Sequence, residues 1–134
     1  MTPPQNPQQT PTKAIKITCS STSLFATWLT LTYMLHHLTD KEIAVAAAFL
    51  AKYAELKKSI INDDTLNKVT FSKESRREIR ELLGLSTTYF QVIMKGLRDK
   101  HFYSGVQINK QLIPEFSVNG NINLLYLIKI DDKS

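Results

Sequence analysis

Gly84 stands where two stretches of helical patterning meet, so the chain must change direction there within a few residues. Before it, Ser72 can cap a helix over about Lys73 to Leu83, with Ile79, Leu82 and Leu83 turned inward. After it, Ser86 can cap a second helix over about Thr87 to Lys100, whose inner face carries Phe90, Ile93, Met94 and Leu97 at helical spacing. Glycine takes the left-handed conformation that ends a helix without a side-chain penalty. Two amphipathic helices joined by Gly84, Leu85 and Ser86 must share one core, and this restricts the fold more than any other feature of the chain.

The flanking sequence supplies the remaining elements. Thr39-Asp40-Lys41-Glu42 is a capping box, which predicts a helix continuing through Ile43, Ala46, Ala47, Leu50 and Ala54; its alanines allow another helix to approach closely. Leu24, Trp28, Leu31, Leu35 and Leu38 recur every three or four residues and predict an earlier helix. A period-two reading through Leu29, Leu31, Tyr33 and Leu35 competes with it, and the helix is preferred. Ala14 to Cys19 alternates through Ile15 and Ile17 as a short strand, and Asn62-Asp63-Asp64 is loop chemistry. Met1 to Thr12 holds Pro3, Pro4, Pro7 and Pro11 among Gln, Asn and Thr, a composition that predicts disorder.

After His101 the period changes to two. Val106, Ile108 and Leu112 alternate with polar residues, as do Ile122, Leu124, Tyr126, Ile128 and Ile130 with their neighbours, and Pro114 and Asn119-Gly120-Asn121 lie between. Two strands with a connecting loop are expected.

The stretch from Ile79 to Ile93 resembles the helix-turn-helix of bacterial and phage transcription regulators. Leu83 and Leu85 flank the turn and plug the core, Gly84 reverses the backbone and Ser86 caps the second helix. With two strands following, the resemblance narrows to the winged helix-turn-helix family and covers roughly Thr39 to Ile130. It implies a mainly α chain with a small antiparallel β wing (α+β). Two positions depart from the family: Arg80 stands where a small residue is usual before the turn, and Phe90 where a small aliphatic is usual in the second helix. The expected organisation is a disordered Pro/Gln-rich tail over 1–13, a strand and apolar helix over 14–38 for packing or dimerisation, and a winged helix domain over 39–134.

The resemblance also implies a function: the second helix enters the DNA major groove, with Thr87, Thr88 and Gln91 at base edges and Tyr89 near the groove wall. Lys95 and Arg98 on that helix, Lys73, Arg76 and Arg77 on the preceding one, and Lys110 in the wing form the rim for phosphates. Arg80 adds to the positive charge of the preceding helix, and Asn119 and Asn121 fall near the wing tip. The chain of 134 residues carries a net charge of +5, and its isoelectric point near 9.4 suits a polyanionic partner. Lys73 to Lys100 holds seven Lys or Arg against four Asp or Glu, a net of +3, so more than half of the excess lies in the reader. The same run equally describes a solvated face in which Glu74, Glu78 and Glu81 pair with neighbouring bases.

The expected partner is double-stranded DNA, bound by a non-enzymatic cytoplasmic regulator of transcription or replication, with a homodimer through Leu24, Trp28, Leu31 and Leu35. The alternative is a protein-interaction module docked in a larger assembly, such as a phage virion or replication complex. Other classes find little support. The lone Cys19 allows neither an intrachain disulfide nor a thiolate metal site, and is expected to be buried or inert. His36 and His37 point about 100° apart on a helix and cannot easily share a metal. Only four glycines are present and none cluster, so no phosphate-cradling loop forms, and no nucleophile–base set can be assembled. No enzyme activity, cofactor, metal or membrane insertion is expected; the apolar window from Ser23 to Leu38 is broken by Thr27, Thr30, Thr32, His36 and His37.

Overall fold

The computed structural model describes residues 13–132, so the tail expected over 1–13 lies outside the described residues except for Lys13. The described chain is mainly helical: α1 (Leu24–Leu31), α2 (Asp40–Lys57), α3 (Asp63–Thr70), α4 (Lys73–Leu82) and α5 (Thr87–Asp99). A two-stranded antiparallel sheet follows, β1 (Tyr103–Ser104) and β2 (Gln107–Ile108). Among these elements, no helix is long and apolar enough to cross a membrane.

α2 is the axis of the fold and touches α1, α3, α4 and α5. Its capping box forms as expected: Glu42 N–H donates to Thr39 Oγ1 at 3.3 Å, and Thr39 N–H donates to Glu42 Oε1 at 2.9 Å. Contacts on several sides rotate its buried face away from the expected stripe. Val45, Ala46, Phe49 and Leu50 are buried with Glu42, while Ile43, Ala47 and Ala54 are only half-buried. Phe49 stacks on Phe71 (4.8 Å between centroids) and Phe71 on Tyr103 (5.0 Å), an aromatic column that ties the small sheet to α2.

The end of α1 differs from expectation for a physical reason. The helix stops at Leu31, where the buried His36 ring occupies Leu29 O at 2.7 Å, the carbonyl a continuing helix would offer to Tyr33 N–H; the buried Thr32 hydroxyl shares Trp28 O, at 2.9 Å, with its own N–H. A short 3-10 turn, Tyr33–Leu35, and a left-handed His37 (φ 56°) carry the chain on to Thr39. The buried face is therefore Trp28, Leu29, Thr32, His36 and Leu38, whereas Leu31 and Leu35 are 42% and 44% exposed. Trp28 Nε1–H donates to Leu112 O at 2.8 Å, which commits this residue of the expected dimer face to the chain's own core.

Further sequence expectations are corrected. Ala14 to Cys19 forms no strand, and Cys19 is exposed. Asn62 is a cap rather than a loop residue: its side chain accepts from Thr65 N–H at 3.0 Å and starts α3, which the sequence reading did not foresee. The sheet forms earlier than expected, with Tyr103 opposite Ile108, Ser104 opposite Gln107, and Gly105 (φ 62°) in the turn. Ile122 to Ile130 is no strand; only a bridge between Phe116 and Ile122 forms, closing a separate turn through Gly120. Leu125, Leu127, Ile128 and Ile130 are exposed, and the segment is tied back through Tyr126 O–H to Leu31 O at 2.6 Å. Alternation gives a segment the capacity to pair, and pairing needs an edge within reach.

The His36 ring has a defined tautomer. Leu38 N–H donates to its Nδ1 at 2.9 Å, so Nε2 carries the proton given to Leu29 O. Burial lowers its pKa below 6.5, outweighing the opposing bond to Leu29, and the charges of His37 and Lys100 lower it further. A proton binds the unfolded chain more readily than the folded one, so stability is whole above pH 6.5 and falls as pH drops through the window beneath it. Urea titrations between about pH 5 and 8 should show this acid slope. His36→Gln, whose amide can satisfy both partners, should flatten it.

Glu42 also fixes how α5 lies on α2. Lys100 Nζ donates to Glu42 Oε1 at 2.6 Å, and a Cβ added at Gly96 would stand 2.0 Å from Glu42 Oε2. Gly96→Ala is expected to lower stability by about 1–3 kcal/mol, read as a lower urea midpoint at unchanged slope. In a Glu42→Ala background the same substitution should cost less, because the carboxylate it strikes is gone.

Candidate functional site

The turn between α4 and α5 is held from both sides. Gly84 takes φ 64°, Leu85 N–H donates to Arg80 O at 3.0 Å, and Ser86 Oγ accepts from Tyr89 N–H at 3.1 Å as the cap of α5. Ile79 is buried and Leu83 and Leu85 are half-buried against the core, but Leu82, expected inside, is exposed. Phe90, the larger residue inside α5, is buried with Ile93, Met94 and Leu97.

Arg80 has a role that its charge does not announce. Its guanidinium is largely covered and Nη1–H donates to Leu85 O at 3.3 Å, so the side chain bridges the turn from within. A small residue at this position could not reach that carbonyl.

All ten candidate residues are exposed: Lys73, Arg76 and Arg77 on α4, Thr87, Thr88, Tyr89, Gln91, Lys95 and Arg98 on α5, and Lys110 after β2. Thr88, Val92 and Lys95 form the stripe opposite the buried residues of α5, with Gln91 beside them. Lys95 is partly neutralised by Asp99 at 2.8 Å. Val92 was not singled out in the sequence because it is apolar, yet it is 61% exposed at the centre of this stripe.

α4 sorts its charges by face. Lys73, Arg76, Arg77 and Arg80 recur at three- and four-residue spacing, and Glu74, Glu78 and Glu81 recur on another side. Glu78 pairs with Lys52 of α2, Arg77 lies 3.7 Å from Glu74, and Arg80 lies 4.0 Å from Glu81. The self-pairing foreseen for this helix is therefore partial. Among the described residues, Lys73, Arg76, Arg98 and Lys110 form no ion pair.

Tyr103 joins β1 to α5. Burial raises its phenol pKa, the charges of Arg98 and Arg76 oppose this, and the charge of Asp99 adds to it. Its hydroxyl donates to Met94 O at 3.1 Å. Lys110 and Tyr103 line one cleft of about 280 Å³ with His101 and Asn109. Lys110 sits in a 3-10 turn rather than on a strand, and Asn119 and Asn121 belong to the separate turn after Phe116. An apolar groove of about 410 Å³, lined by Phe25, Tyr53, Pro114 and Phe116 among others, draws no residue from α4 or α5. Among the described residues, no group of three or more His, Cys, Asp or Glu is arranged to hold a metal ion.

No protein-family model, curated protein or solved structure matches this chain.

The different roles of the two cations predict different phenotypes. Arg80→Ala should lower stability by about 1 kcal/mol, because it leaves the Leu85 carbonyl without its donor. Lys95→Ala, at an exposed position, should leave the melting temperature within about 1–2 °C of the parent.

Proposed function

We propose that the chain is a non-enzymatic, winged helix-turn-helix DNA-binding protein that lays α5 in the major groove. The observation that carries this reading is the uncovered outward face of α5, bordered by cations from two helices, of which Arg76 and Arg98 form no ion pair. Thr87, Thr88 and Gln91 supply groups able to bond base edges, and Tyr89 lies at the same end of the helix. Lys73, Arg76, Arg77, Lys95, Arg98 and Lys110 supply charge for phosphates, the term that dominates affinity and carries no sequence information. β1, β2 and Lys110 act as a short wing against the flanking backbone. A regulator of transcription or replication fits this arrangement.

A protein-docking reading draws on other residues. Leu31, Tyr33, Met34 and Leu35 are exposed beside the segment Leu124 to Ile130, which Tyr126 ties to Leu31. This apolar surface suits a second copy or an assembly partner, and it leaves the α5 face free.

Affinity for duplex DNA measured across a salt series separates these readings. The DNA reading expects log K to fall steeply with log salt, with each of Arg76→Ala and Arg98→Ala reducing the slope by about 0.9. Binding no tighter than that of an unrelated protein of equal charge would overturn it.

A further inference from the structure

We infer that Val92 recognises the C5-methyl group of a thymine in the major groove, an inference that rests on the DNA-binding reading. Val92 follows Thr88 by one turn and precedes Lys95 by three residues, at the middle of the stripe opposite Phe90, Ile93, Met94 and Leu97. Being 61% exposed, it contributes little to the core, and valine is a poorer helix former than alanine. The fold therefore gives no reason for a branched apolar side chain at this position.

Its neighbours indicate the size of the group it meets. Thr88, Tyr89 and Lys95, three or four residues away, flank Val92 on the exposed face, so the apolar surface is small: Val92, the partly exposed Tyr89 ring and the Thr88 methyl. A protein partner held by apolar contact needs a wider patch. A single methyl does not. In the major groove thymine alone among the four bases presents a methyl, and its partner adenine presents the N6 donor and N7 acceptor that a glutamine amide can bond together. Gln91 points about 100° from Val92 around α5, at the edge of the stripe, so the helix offers methyl contact and amide recognition from adjoining faces. The preferred site is therefore one with A·T pairs under the first two turns of α5.

Selection of the full chain against random duplexes, followed by replacement of each thymine with deoxyuridine, tests this at the level of one methyl group. The replacement keeps every hydrogen bond. Loss of one buried methyl contact corresponds to about fourfold in Kd. The expected result is a loss of about that size at one thymine of the selected site, abolished in Val92→Ala, which at an exposed helical position does not lower the melting temperature. If a selected duplex binds tightly and every deoxyuridine version binds equally well, or if the thymine preference persists in Val92→Ala, the inference is overturned while DNA binding stands. If no duplex is enriched, both fall.

Discussion

The Glu42 carboxylate is the point on which the placement of α5 depends. It closes the cap of α2 through Thr39, receives Lys100 from the end of α5, and occupies the space that Gly96 leaves by having no side chain. Lys100 also donates to His37 O at 3.3 Å, so the same ammonium joins α5 to the left-handed residue before α2. Glu42 is 8% exposed. Burial alone would raise its carboxyl pKa, but the bonds from Lys100 and Thr39 prevail and hold it below the ordinary value. Because Lys100 is about one-third exposed, the pair is worth more than a surface ion pair and less than a fully buried one.

This clamp and His36 make one end of the molecule acid-sensitive in two stages. His36 weakens the fold below pH 6.5, and Glu42, whose folded pKa is depressed, contributes stability above its unfolded value of 4.5 that is lost as pH falls further. Both groups lie where α1 gives way to α2. The polar centre here is fully satisfied: no buried side-chain nitrogen or oxygen among the described residues lacks a hydrogen-bond partner.

What the sequence disclosed was mostly local. Thr39, Ser72, Ser86 and Gly84 each do what their residue type and spacing indicate, because a cap is decided within four residues. The inner face of α5 was legible for the same reason. Asn62 was ambiguous, since the side-chain oxygen that makes asparagine a loop residue is the one that starts α3. The end of α1 was hidden because it depends on His36, seven residues on, taking the Leu29 carbonyl inside the core. The alternation after Ile122 was a real pattern without an edge to join. In the candidate site, exposure followed from the complement of the buried face, whereas Arg80 and Val92 were not legible by type: one is a cation turned inward to a carbonyl, the other an apolar residue turned outward.

Charge sorting on α4 gives the modest net charge its direction. A surplus of a few positive charges spread evenly over a surface is screened within about 8–10 Å at physiological salt and steers nothing. Here Lys52 of α2 draws Glu78 to one side, and Lys73, Arg76 and Arg77 occupy another. Arg80, the fourth basic residue in that row, keeps its charge but turns its guanidinium to Leu85 O at the turn, away from the outward row. For the DNA-binding reading proposed above, such an arrangement would favour contact along α4 and α5, but phosphates are the same at every step of a duplex. In that reading, sequence choice falls to the narrow uncharged strip between the cations, and Thr88, Gln91 and Val92 are the residues that fill it.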